Sequence, residues 1–283
     1  MIDWSDKVAA DFRSRIIVDP DNPVLAFKAN RDRYGQRGHP VYAGLPHLGS
    51  QASEDAVTWN VFRSLQKGQR LHVISKELGI GEPRALLLWT LAPQVDDISA
   101  KLQYEVGMLI RRFDGILRGQ MTEPDVIILG VQGVAVIECK LSEAEKPPAH
   151  LWEGSIDSAR KRLWMYKKAE PTLLQKDVTD AQVGEIWQLV RMAFYTLQLG
   201  KTLSCDAVVV SLANERNWSV QIPRLNKSAA ELWEFFLYAV ASSNLRKRST
   251  NWQRLQTLIA DYSLDELTDY LSTHPCLQAE AST

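Results

Sequence analysis

A chain of 283 residues and 32.0 kDa has room for one large domain or two small ones around a continuous core. With 45% hydrophobic and 24% charged residues it has the composition of an ordinary globular protein, which excludes disordered, collagen-like and disulfide-scaffold classes. Lys+Arg 33 against Asp+Glu 34 leaves a net charge of -1, so any surface for a polyanion has to be local.

Cys139, Cys205 and Cys276 are scattered, without the spacing of a zinc site, and suit a reducing compartment. The stretch MIDWSDKVAADFRSR lacks an apolar signal core, and no apolar run approaches the length of a membrane span. The expectation is a cytoplasmic protein with no membrane partner.

In chain order, residues 4–16 suit a short helix. Residues 18–50, rich in Pro, Gly, Asn, Arg and His without a sustained period, read as an ordered surface arm, so 1–50 is taken as an N-terminal arm. Ser53 followed by EDAVTWNVFRSLQ predicts a capped helix with Val57, Val61 and Leu65 on its inward stripe and Gly68 at its end. A helix near 71–79 precedes ALLLWTL at 85–91, an apolar run of strand length. Leu102, Val106, Leu109 and Phe113 mark another helix, although VGMLI within it is also compatible with a strand.

TEPDVIILGVQGVAVIECKLSE, residues 122–143, predicts a β-hairpin turning at Gly130-Val131-Gln132-Gly133. Downstream, Trp187, Val190, Phe194 and Leu197 give a helix and CDAVVVSLA a buried strand. Residues 228–273 read as helices, the last capped by Ser263 and Glu266. The expected organisation is a core over 51–225 and a helical C-terminal extension, 226–283, packed on it.

If the hairpin turn is centred between Val131 and Gln132, paired residue numbers sum to 263. Asp125 and Glu138 then face each other with Cβ atoms about 5 Å apart. Lys140 shares the face of Glu138, while Ile137 and Cys139 point the other way. Two opposed carboxylates on an apolar hairpin repel, and a divalent cation relieves this economically. Oxygen ligands suit Mg2+, with Mn2+ able to substitute, and Lys140 would stand beside the ion. The plainer reading makes Glu138 and Lys140 a surface ion pair beside an exposed Asp125.

Pro124-Asp125 and Glu138-Cys139-Lys140 resemble the PD and (D/E)XK elements of the PD-(D/E)XK nuclease superfamily. The resemblance implies an α/β fold with a restriction endonuclease-like core, a mixed central sheet flanked by helices. It also implies metal binding by Asp125 and Glu138 and catalytic assistance by Lys140. Members often supply a third acid from the helix before these strands; Glu54 is the matching candidate for both metal and catalytic roles, since it projects from the inward stripe while Asp55 does not. The competing reading is that Glu54 complements the helix dipole.

Some members add a polar stripe on a later helix. Gln188, Arg191, Tyr195 and Gln198 recur at helical spacing here, with Gln188 and Arg191 placed among the catalytic candidates and Tyr195 and Gln198 equally suited to a solvated edge. RKRLWMYKK, residues 160–168, interleaves Arg160, Lys161, Arg162, Lys167 and Lys168 with Trp164 and Tyr166, a composition suited to nucleic acid, although the aromatics also fit the buried side of a helix. Arg246-Lys247-Arg248 reads as an exposed run between helices. The five histidines show no metal spacing, and no phosphate-binding glycine motif occurs.

The functional expectation is a Mg2+-dependent nuclease, endo- or exonucleolytic, acting on nucleic acid, with DNA the first substrate to try. A nuclease-fold protein without activity, serving as a nucleic-acid-binding or scaffold module, is the alternative. A partner-binding module is the third option.

Overall fold

Five segments assemble the central sheet of the computed structural model, which describes residues 2–35, 40–114, 123–141, 156–215, 218–219, 221–222 and 225–278. They are β1 (Pro83–Leu88), β2 (Val126–Gly130), β3 (Gly133–Cys139), β4 (Asp206–Ala213) and, after a small antiparallel pair β5 (Gln221–Ile222) and β6 (Lys227–Ser228), β7 (Leu245–Asn251). The spatial order is β1-β2-β3-β4-β7: the first two contacts are antiparallel, the last two parallel.

Between and around the strands lie α1 (Pro23–Arg31), α2 (Glu54–Lys67), α3 (His72–Glu77), α4 (Asp97–Phe113), α5 (Ile156–Ala169), α6 (Asp180–Glu185), α7 (Trp187–Leu203), α8 (Ala229–Ala239), α9 (Trp252–Ile259) and α10 (Asp265–Thr273). Strand alternation separates two apolar layers. Leu87, Ile127, Val134, Val136 and Val209 pack with α4, α5, α7 and α8, whereas Leu86, Ile128, Ile137, Cys139 and Val210 pack with α1, α2, α9 and α10. The result is an α/β fold with a mixed five-stranded sheet and helices on both faces.

The hairpin has the expected register: Val126 pairs with Ile137, Ile127 with Val136, Ile128 with Ala135 and Leu129 with Val134. Its glycines serve close approach, not unusual φ, since neither has a positive φ. A Cβ on Gly130 would lie 2.2 Å from the Ile80 carbonyl oxygen, and one on Gly133 would lie 2.9 Å from that of Asp206.

Four expectations need correction. Residues 226–283 are not wholly helical: β7 pairs in parallel with β4 along Ala207–Ala213, so this segment completes the sheet. Its sequence LRKRSTN hides a strand because this edge strand carries cations, while Lys247 Nζ donates to the carbonyls of Leu237 (3.1 Å) and Val240 (2.5 Å) at the end of α8. The N-terminal arm is not a surface feature either. Asn22 caps α1, Pro23 occupies its first turn, and Leu25 and Leu48 are fully buried in the layer that includes α2. In residues 4–16 the only described helical turn is a 3-10 turn, Phe12–Arg15. Ser263 is not the N-cap of α10: its φ of 51° places it in the left-handed region, where it closes the 3-10 turn Ala260–Tyr262, and α10 begins at Asp265 with Leu264 at its N-cap and no side-chain cap. No described helix is long and apolar enough to cross a membrane.

Candidate active site

The C-terminal end of β3 gathers the candidate residues. Asp125 lies at the bend entering β2, and its Oδ2 accepts the Cys139 backbone N–H at 2.8 Å, which ties the two sides of the hairpin beyond the last ladder pair. Glu138 is only 2% exposed. Lys140 follows the strand, and both its backbone groups are fixed: its N–H donates to Leu212 O (2.8 Å) and its carbonyl accepts the Trp252 indole N–H (3.0 Å). The period of two puts Glu138 and Lys140 on the face covered by α7, with Cys139 fully buried behind, its thiol pushed well up by burial first and by nearby Asp125 second.

Side chains from two further elements complete the cluster. Lys140 Nζ donates to Glu138 Oε1 at 2.8 Å and to Glu54 Oε1 at 3.3 Å. Glu54, the first residue of α2, also accepts the Leu141 N–H at 3.0 Å. Gln188, near the start of α7, donates through Nε2 to Glu138 Oε1. Burial, and then the charge of Glu138, pushes the Asp125 carboxyl well above its usual range. Burial also raises Glu54, against the pull of Lys140. For Lys140, burial alone favours the neutral amine, but Glu138, Glu54 and Asp125 outweigh it and hold the ammonium well above its ordinary range.

A second cell adjoins this one, and sequence reasoning missed it. Lys28 of α1, 6% exposed, places Nζ 3.1 Å from Asp32, 3.2 Å from Asp55 and 3.4 Å from Glu123, and 4.8 Å from the centre of the Trp89 ring. Asp55 is therefore engaged in this network and does not face solvent as expected; burial raises its carboxyl and Lys28 opposes that rise. Arg31 adds hydrogen bonds to Glu123. Trp89 donates its backbone N–H to Asp125 O at 3.0 Å, so the cell grips both sides of the PD segment. The overlooked signal was Asn22-Pro23, a cap followed by a first-turn proline.

The remaining candidates divide. Arg191 ion-pairs with the fully buried Asp114 (3.5 Å), which also meets Arg162 (3.2 Å) and the Tyr166 hydroxyl (3.2 Å). Arg162 is thus 2% exposed and not a surface contact for nucleic acid: at helical spacing it falls on the inward side of α5 with Tyr166. Lys167 pairs with Asp180 at 2.8 Å, while Arg160, Lys161 and Lys168 are exposed. Tyr195 is 4% exposed, packed against Phe113 and Tyr166, and is no solvated edge. Gln198 Nε2 donates to Glu170 at 3.4 Å.

The donors suit a hard cation in kind, and one observation favours a positive group here: Glu138 Oε2 is buried with no hydrogen-bond partner among the described residues. Among the described residues no three His, Cys, Asp or Glu side chains are disposed to hold a metal by themselves. An ion bound by one or two carboxylates completes its shell with water and substrate phosphate. Comparison with family models, curated proteins and solved structures gives no match, so the functional argument rests on this geometry.

Proposed function

We propose that the chain is a divalent-metal-dependent nuclease with a restriction endonuclease-like core, hydrolysing phosphodiester bonds of nucleic acid, DNA in the first instance. The observation that carries this is the buried Glu138 carboxylate, its Oε2 without a hydrogen-bond partner among the described residues, set in a cluster with Asp125, Lys140 and Glu54 at one strand end. Mg2+, or Mn2+ in its place, when bound supplies Lewis-acid activation of water at neutral pH. Asp125 and Glu138 are its holders, with Glu54 as a third acid that also orients Lys140. The Lys140 ammonium, fixed through both backbone groups, offers a preorganised charge to the phosphate as negative charge develops. Gln188 fixes the rotamer of Glu138.

A binding or scaffold module without activity is the second reading. It is favoured by the bonds of Lys140 Nζ to both Glu138 and Glu54, which neutralise the cluster from within. Cleavage of labelled single- and double-stranded DNA and RNA with Mg2+ or Mn2+ separates the two. Wild type is expected to cleave, Glu138→Ala to be inactive, and Lys140→Ala to lose about 100-fold or more in rate while retaining the rise in Tm caused by the metal. Absence of cleavage and of any metal-dependent rise in Tm would leave the module reading.

A further inference from the structure

We propose that the outer face of α5 is a stacking platform for single-stranded nucleic acid, with Trp164 as its anchor. Residues 160–169 of α5 carry five basic side chains and no acidic one. The fold then sorts them. Arg162 turns inward to Asp114 and Lys167 pairs with Asp180, which leaves Arg160, Lys161 and Lys168 exposed and without a carboxylate partner among the described residues.

Trp164 stands among these three cations at helical spacing, from Arg160 at i−4 and Lys161 at i−3 to Lys168 at i+4. Its indole is 62% exposed, and Lys168 Nζ lies 5.1 Å from the ring centre. A lone exposed tryptophan needs no explanation, but an indole framed by exposed ammonium and guanidinium groups presents both parts of single-strand recognition. The ring offers a face on which a base stacks, and the cations follow the phosphates. In a duplex the base faces are already stacked on one another, so the ring contributes little there.

The inner side of the same helix packs on the helix that carries Gln188 of the candidate active site. There Tyr166 stacks on Phe194 at 4.0 Å and on Trp187 at 5.8 Å, both on α7. The residue after Trp187 is Gln188, which holds Glu138. On the same inner side, Phe113 of α4 meets Tyr166 edge-on with ring centres 6.4 Å apart. The inference deepens the nuclease reading by naming a single strand as the form of substrate, and it rests on that reading only for the link to cleavage.

Fluorescence anisotropy with short labelled oligo(dT), oligo(rU) and duplex DNA tests it, with EDTA present so that binding is measured apart from cleavage. Wild type is expected to prefer the single strands. Trp164→Ala should weaken oligo(dT) binding about 10-fold, with Trp164→Phe restoring most of it. Lys161→Ala combined with Lys168→Ala should flatten the dependence of log Kd on log salt by roughly 1 to 2. Because all three side chains are exposed, an unchanged Tm will show that the variants fold. Unaltered oligo(dT) affinity in Trp164→Ala, or equal loss for duplex and single strand, would overturn the platform, as would capture of an acidic protein by this face without oligonucleotide binding. Trp164-dependent binding without metal-dependent cleavage would sustain it and remove the nuclease reading; cleavage without such binding would do the reverse.

Discussion

Replacing Lys28 by methionine removes one ammonium from among the carboxylates of Asp32, Asp55 and Glu123 and keeps the length of the side chain. Breaking a buried ion pair from one side leaves uncompensated charge, here in a hub joining α1, the start of α2 and the segment entering β2. The three carboxylates are 22–30% exposed, which lets water screen part of the loss. Lys28→Met is therefore expected to cost about 2–3 kcal/mol, read as a lower midpoint in urea denaturation; a midpoint equal to wild type would show that the hub is not a stabilising element. At this scale the sequence disclosed Asp125, Glu138 and Lys140 because strand alternation and a short turn fix their relative placement. Lys28 was hidden because its partners come from distant segments, Glu123 lying 95 residues on, and pairing over that distance leaves no local period.

The hairpin shows how one element is held by another. Residues 80–82 bridge its turn: Val131 N–H donates to Glu82 O and Gln132 N–H to Ile80 O, both at 2.9 Å. Gly130→Ala would drive a methyl group into the Ile80 carbonyl, a backbone group that cannot rotate away. The expected loss is about 1–3 kcal/mol, with a lower Tm and strand slippage visible as faster hydrogen exchange over 126–139. Gly130→Ala as stable as wild type would mean that the segment around Ile80 yields easily. Elements with a buried apolar face were legible, as with α2, α4, α7 and the strands through Val208 and Ile128. The edge strand β7 was not, because charged side chains on an edge give no apolar alternation, and α1 was masked by the turn-forming residues around it.

Across the whole molecule, segments distant in sequence close one face of the sheet together. His274 is 1% exposed, with the Trp4 ring 4.8 Å away and that of Tyr270 5.4 Å away. The Cys276 N–H donates to His274 Nδ1 at 3.2 Å. Burial, and then the charge of Arg15, lowers the imidazole from 6.5 to about 4. Between these values the unfolded chain takes a proton that the folded chain refuses, so this contribution to stability is complete above pH 6.5 and declines as pH falls toward 4. The loss is on the order of 3 kcal/mol. Urea titrations across this range should find a shallower decline in His274→Asn, and parallel declines would sink the assignment. The same closure orders events during synthesis. The carbonyl of Lys140 is held by Trp252, and the layer that buries Phe12 and Leu25 also needs Leu267 and Leu271. A nascent chain that has reached residue 240 has translated all the candidate acids yet lacks the strand beside β4 and the indole that fixes Lys140. The cluster therefore takes its final form only after those later residues are made, and until then the growing polypeptide carries the parts of its chemistry without their arrangement.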